Sequence, residues 1–351
     1  SLGLGFATTQ RLAAATGGSA AAQSGDEPIP DLAGGTPSGS GTPAAGTAPS
    51  AGTAPSAGTA PSAGTAPSAS ASSASQTLPP RPDGPVPTGL TPSLQAARAD
   101  QPRTYGDGCH LSQPATTIPD CVYGDPSSST TVALFGDSHA GQWFPALERL
   151  AAERGWRLIS LTKSGCTPAQ VTIWNTTFKR AYTECDQWRE AVFARLRAER
   201  PALVIVASSH PYTAAETDGP GPADHGQALQ TGLEQTLERL RPLAGAVTLI
   251  GDTPKFSQDP PDCLSRHLDH ILACAEPRAQ ALDPRWTAIE AATASQAQAT
   301  FVDPTAWVCP TDPCPVVIGD YLAFRDTHHL ATPFAMALRQ RLALELPLPG
   351  G

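Results

Sequence analysis

Val132-Ala133-Leu134-Phe135-Gly136-Asp137-Ser138-His139 is the stretch on which the fold turns. Four consecutive apolar residues closed by a glycine read as a buried strand, because the run is too short for a helix. The segment 142–154 that follows carries Trp143, Leu147 and Leu150 at helical spacing. A buried strand feeding straight into a helix is the repeating unit of a parallel sheet. The unit recurs downstream, with strands expected over 156–162, 202–207, 246–250 and 299–302 and helices over 180–200, 227–240, 284–298 and 332–346. In the helix expected over 180–200, Trp188, Val192 and Leu196 share one face. The expectation is an α/β chain folded as a three-layer α/β/α sandwich around a mainly parallel five-stranded sheet. Ligands of such sheets sit beyond the carboxyl ends of the strands.

Upstream the composition changes. The chain has 351 residues with 37 Pro and 31 Gly, many of them in the first hundred positions. Residues 13–102 are dominated by Ala, Gly, Ser, Thr and Pro, and Ala-Gly-Thr-Ala-Pro-Ser occurs four times in succession from Ala45 to Ser68. Few large apolar side chains are present to offset conformational entropy, so 13–102 is expected to be a disordered, extended linker. Residues 1–12 are mildly apolar and fit either the end of an upstream membrane segment or an ordinary boundary of the piece, leaving 103–351 as the catalytic candidate. Ser1 to Thr9 has neither the basic flank nor the apolar length of a signal peptide, and no run approaches the roughly 18 apolar residues of a spanning helix. Lys and Arg number 23 against 32 Asp and Glu, a net charge of −9. That balance argues against a polyanion-binding surface, so no nucleic-acid partner is expected.

Eight cysteines stand at 109, 121, 166, 185, 263, 274, 309 and 314, with no Cys-x-x-Cys pair. An even count of local neighbours points to an oxidising compartment. Eight thiols allow 105 connectivities, and the simplest is sequential: Cys109–Cys121, Cys166–Cys185, Cys263–Cys274 and Cys309–Cys314.

Ser138 directly follows the first strand, where a new helix begins. Free N–H groups and the positive end of a helix dipole favour an oxyanion there, which suits a nucleophilic hydroxyl. A lone serine in that place is more often a helix cap, so the reading depends on partners. Asp326 and His329 supply them in Arg325-Asp326-Thr327-His328-His329-Leu330. The carboxylate would hold one ring nitrogen while the other accepts the serine proton. His328 competes for the base role but lies one residue off the Asp-x-x-His spacing. Asp252, after the fourth strand, is a site-lining or capping residue. Ser160-Leu161-Thr162-Lys163 matches Ser-x-x-Lys, but its serine lies within a strand instead of opening a helix. His267, Asp269 and His270 fall in a proline-bounded insert and read as solvated. No metal, nucleotide or other cofactor is expected.

Gly136-Asp137-Ser138-His139 and Asp326-Thr327-His328-His329 resemble the first and last blocks of the SGNH (GDSL-like) hydrolase superfamily. Gly136 through Trp143, with Lys163-Ser164-Gly165-Cys166, resembles more closely the extracytoplasmic SGNH domain fused to acyltransferase-3 membrane proteins, which O-acylate cell-surface glycans. The resemblance implies a flavodoxin-like SGNH-hydrolase fold over 109–346. It implies Ser138 as nucleophile, Asp326 and His329 completing the triad, and backbone N–H groups of Ser138 and Gly165 as the oxyanion hole. It departs at the third block: the only asparagine is Asn175, after the second strand, and the matching stretch reads Ala207-Ser208-Ser209-His210-Pro211. Ser209 and His210 are therefore weaker site residues.

The function so implied is O-acyl transfer, most simply of acetyl, through a Ser138 acyl-enzyme to a cell-wall or cell-surface glycan. The acyl donor would come from an acyltransferase-3 membrane domain ahead of Ser1, with this monomeric domain extracytoplasmic and tethered. A carbohydrate esterase using the same triad is the alternative, and a non-catalytic glycan-binding module the third. Trp143, Trp174 and Trp307 are the aromatics considered for a sugar surface.

Overall fold

The computed structural model describes residues 78–216, 219–221 and 226–347. Seven strands form the central sheet: β1 His110–Leu111, β2 Val122–Gly124, β3 Thr131–Gly136, β4 Arg157–Lys163, β5 Leu203–Ala207, β6 Ala246–Ile250 and β7 Thr300–Val302. The order across the sheet is β1-β4-β3-β5-β6-β7. All pairings along that path are parallel, with Gly136 level with Thr162 on one side and Ala207 on the other. Every residue of β3 and β5 is buried, as expected of strands covered on both faces.

The mainly parallel α/β layering is the one expected, but the strand count is seven and not five. The additions are β1 and β2, which share one edge of β4: β1 runs parallel beside Thr162 and Lys163, and β2 antiparallel beside Arg157 to Ile159. Two- and three-residue strands have no periodicity to read. Their place is set by the Cys109–Cys121 disulfide that joins their approaches.

Two apolar layers flank the sheet. On one side α1 Ser138–Gly141, α2 Phe144–Arg154, α6 Thr332–Ala337 and α7 Arg339–Glu345 pack with Val132, Leu134 and Ile205. On the other, α3 Thr183–Glu199, α4 Gln227–Leu240 and α5 Pro284–Gln296 cover Ala133, Phe135, Val204 and Val206. Strand alternation thus sends adjacent residues of β3 into opposite layers. The closing helix expected over 332–346 is broken at Leu338 into α6 and α7.

Residues 78–102 fall in the stretch expected to be linker, and here the structure corrects it. Val86 N donates to Leu268 O at 2.7 Å, Leu322 N to Thr91 O at 3.0 Å, and Thr332 N to Asp100 Oδ2 at 2.6 Å. Leu90 is buried, and Leu78, Val86 and Leu94 pack on the first apolar layer. A proline-rich segment with a few well-placed leucines loses little entropy when it lies down as an extended strap. The expected membrane-segment end at 1–12 and the repeats from Ala45 to Ser68 lie outside the described residues. Among the described residues, no helix is long and apolar enough to cross a membrane.

The disulfides are Cys109–Cys121, Cys166–Cys185, Cys263–Cys274 and Cys309–Cys314, and no cysteine is free. Four such bonds fit an extracellular domain.

Candidate active site

Loops leave the carboxyl ends of β3, β4, β5 and β6 at one edge of the sheet; those after β3 and β6 meet the loop 325–331, Leu330 N donating to Gln142 Oε1 and Phe256 N to Thr327 O. The first corner is built on Gly136 and Asp137. A Cβ on Gly136 would lie 1.9 Å from Ala207 O, so only glycine lets β3 approach β5 this closely. Asp137 caps α1, its Oδ1 accepting from His139 N at 2.8 Å. Its Oδ2 accepts from Ser208 Oγ at 3.0 Å, Ser209 N at 2.8 Å and Tyr212 Oη at 2.6 Å. Ser138 then stands at the first helical position, buried at 6% exposure. Its N–H belongs to the first turn, whose donors have no acceptor within the helix.

Asp326 Oδ1 accepts from the backbone N–H groups of His328 and His329 at 3.0 and 2.7 Å, and its Oδ2 pairs with His329 Nδ1 at 2.8 Å. That pairing assigns the ring proton to Nδ1 and leaves Nε2 as an acceptor. His329 Nε2 is buried and has no hydrogen-bond partner, so no bond to Ser138 Oγ is formed in this resting geometry. Catalytic hydrogen bonds often tighten only when substrate binds. Burial holds the His329 ring below the ordinary imidazole range despite Asp326, which favours the neutral, proton-accepting form. Burial also resists ionisation of Asp326, but the imidazole beside it prevails and its carboxyl sits well below the usual range.

His328 is placed differently. Its Nδ1 lies 3.0 Å from His139 Nε2, and the two rings stack at 5.2 Å. His139 Nδ1 in turn sits 2.6 Å from Asp252 Oδ1. Asp252 therefore lines the site as the partner of a second imidazole. Lys255 Nζ reaches its Oδ2 at 2.9 Å, as does His210 N at 2.8 Å. Burial works against that carboxylate, and Lys255 and then His139 pull it well below the usual range. Behind it Glu290 is buried, and desolvation followed by the charge of Asp252 pushes its carboxyl well above the ordinary value.

The loop after β4 brings Gly165, at φ 57°, beside Gln113. Asn175 lies here and not after β5. Its Oδ1 accepts from Phe178 N at 2.8 Å and its Nδ2 donates to Gln113 Oε1 at 3.1 Å. Lys163, the last residue of β4, ties down the segment after β1 that carries Gln113, its Nζ donating to the carbonyls of Ser112, Gln113 and Ala115. The stretch at the third block is committed elsewhere. Ser208 and Ser209 bind Asp137, Ser209 Oγ accepts from Lys255 Nζ at 2.9 Å, and His210 stacks on Trp286 at 3.9 Å. Ser209 and His210 thus lie on the β5 loop, spent on neighbours.

Among the aromatics considered for sugar binding, Trp143 is corrected: it is 1% exposed and packs edge-on against Trp307 at 6.4 Å. It belongs to the first apolar layer with Phe144, Leu147 and Leu150. Trp174 lines a small cavity of about 40 Å³ with Gly165, Asn175 and Tyr212. A larger cavity of about 180 Å³ opens between Asp252, Lys255, Asp283 and Trp286.

Sequence reasoning missed Gln142. Its Oε1 accepts from Leu330 N at 2.8 Å and its Nε2 donates to Thr253 Oγ1 at 3.2 Å, tying the end of the Ser138 helix to both neighbouring loops. No local signal marks a glutamine for that task.

Comparison with known proteins adds the following. A family model described as the SGNH domain fused to AT3 domains matches residues 105–344. No curated protein sequence matches the chain. Among solved structures, the periplasmic domain of a Salmonella ser. Paratyphi A lipopolysaccharide acetyltransferase is similar at 15% identity and a TM-score of 0.49, over 72% of this chain and 88% of that one. An acetylxylan esterase from Geobacillus stearothermophilus is similar at 15% identity and a TM-score of 0.36, over 63% of this chain and 96% of that one. A carbohydrate esterase family 2 enzyme from Corynascus thermopiles (Myceliophthora fergusii) is similar at 14% identity and a TM-score of 0.37, over 62% and 66%.

Proposed function

Because this chain belongs to the family of SGNH domains fused to AT3 domains, we propose that it is a serine-dependent O-acyltransferase acting outside the cytoplasm on hydroxyls of a cell-surface or cell-wall glycan. The observation that carries this reading is the Asp326–His329 pair, held at 2.8 Å with a buried, unpartnered Nε2 beside the corner that carries Ser138.

The reaction runs in two matched halves. Ser138 Oγ attacks the acyl carbon of the donor as its proton passes to His329 Nε2, and Asp326 stabilises the imidazolium. The tetrahedral oxyanion takes N–H groups of Ser138 and Gly165. The proton on Nε2 leaves with the donor's departing group, giving acyl-Ser138. A sugar hydroxyl then gives its proton to Nε2, attacks the acyl carbon and leaves as the ester, while Ser138 regains its hydrogen. The membrane domain to which the family is fused supplies the acyl donor, acetyl in the simplest case, and the four disulfides suit this compartment.

The test is incubation of the purified chain with an activated acetyl ester, with and without a xylan or chitin oligomer, followed by mass spectrometry of the sugar. Acetylated oligomer with no product from Ser138→Ala is the expected result. Acetate release that no sugar diverts would make the chain an esterase instead. Sugar binding with neither reaction would leave a glycan-binding module.

A further inference from the structure

The three histidines of this site, His139 and His329 buried and His328 half-buried, are arranged as metal ligands are. His139 Nε2 and His328 Nδ1 are 3.0 Å apart, His329 Nε2 is buried and unpartnered, and the three residues each offer a ring nitrogen within 4.8 Å of the other two. Two of the rings are backed by carboxylates on their far nitrogens, His139 by Asp252 at 2.6 Å and His329 by Asp326 at 2.8 Å. A carboxylate behind Nδ1 fixes the tautomer, orients the ring and leaves Nε2 as a lone-pair donor, the arrangement typical of histidines that ligate zinc. Tetrahedral zinc at 2.0–2.1 Å from each nitrogen spaces its ligands about 3.4 Å apart. The set here needs only modest closure of His329 to reach that spacing.

We propose that His139 Nε2, His328 Nδ1 and His329 Nε2 form a binding site for one divalent transition-metal ion of the zinc class. Three imidazoles select such an ion over calcium or magnesium, which take oxygen ligands. With Nδ1 of His139 protonated toward Asp252, its Nε2 accepts the proton of His328 Nδ1. Coordination moves that proton to His328 Nε2, so all three rings remain neutral. The bound ion occupies the lone pair of His329 and withdraws it from Ser138. That last consequence, reversible inhibition, rests on the catalytic reading given above; the site itself rests on the geometry alone.

The test is titration of the EDTA-dialysed, metal-free chain with Co²⁺, read by the visible absorbance of tetrahedral cobalt, and with Zn²⁺ by calorimetry. One ion per chain is expected, with affinity reduced about tenfold or more in His328→Ala and in the gentler His328→Gln. Circular dichroism confirms that each variant is folded. Ser138→Ala should bind the metal as the parent does, so the readout survives even if the serine chemistry is absent. Failure of the parent to bind with saturation, or an affinity in both His328 variants equal to the parent's, overturns the site. Binding by the parent without parallel loss of ester turnover, restored by chelator, overturns the inhibition and leaves the site standing.

Discussion

His329 shares one ring nitrogen with Asp326 at 2.8 Å and keeps the other buried without a partner. A buried acceptor with no donor is costly to hold, and an arriving hydroxyl proton relieves it. Replacing His329 by Ala, or Asp326 by Asn, is therefore expected to lower kcat for an activated acetyl ester by about 10²–10⁴-fold with a smaller change in KM. Steady-state kinetics of both variants check this. Retention of more than a tenth of the parent's turnover in His329→Ala would assign the base elsewhere.

The same environment sets the pH dependence of the reaction. Burial lowers the protonation tendency of His329, so the base stays neutral below the ordinary imidazole value of about 6.5. The acid limb of kcat/KM should fall below that pH, and a limb at or above 7 would contradict the geometry.

Stability should fall with acid for a related reason. Desolvation pushes His110 down to about 3 and His210 to about 4. Both rings stay neutral in the folded chain while the unfolded chain takes protons below about 6.5, so stability is lost as pH drops from 6.5 toward those values. For His110 alone the loss at pH 4.5 is about 2–3 kcal/mol. Denaturant titrations at pH 7 and 4.5 measure it, and His110→Gln should show a shallower pH dependence than the parent.

Gly136→Ala tests the corner. The new methyl would meet Ala207 O at 1.9 Å and Ala140 Cβ at 2.8 Å, and neither neighbour can swing away as a flexible side chain would. A loss of at least about 2–3 kcal/mol, with little soluble protein, is expected. A melting temperature within two degrees of the parent's would show that β3 and β5 are farther apart than described.

The Cys166–Cys185 bond closes a loop with a sequence separation of 19 and ties the Gly165 turn to α3. The Cys166→Ser, Cys185→Ser double variant should lose about 3 kcal/mol on the loop-entropy scale. If the Gly165 N–H serves the oxyanion as proposed, activity should fall beyond what stability accounts for, measured well below the melting temperature, since that turn loses its tie.

What the sequence made legible was local. Gly136 to His139 and Asp326 to His329 are short blocks, each within a few residues, and their pairing with one another and with a family resemblance is what singles them out. The strands β3 to β7 were readable because continuous apolar runs mark two-sided burial. The hidden part consists of pairs joined only by strand order. His139 and Asp252 are 113 apart in sequence, Gln142 and Leu330 are 188 apart, and Gln113 and Asn175 are 62 apart. Asp252 was legible as a loop residue after a strand, but its partner was not. The strap over 78–102 escaped for a different reason: its composition is that of a linker, and its few leucines matter only through the surface they meet.

Asp137 binds four donors from the β3 and β5 loops with its two oxygens. A carboxylate so fully subscribed makes the corner that carries Ser138 a fixed reference point that neither drift nor laboratory selection can readily shift. New acceptor preferences would then have to be written in the loops around Trp174 and Trp286, where cavities leave side chains room to change without moving the reacting atoms.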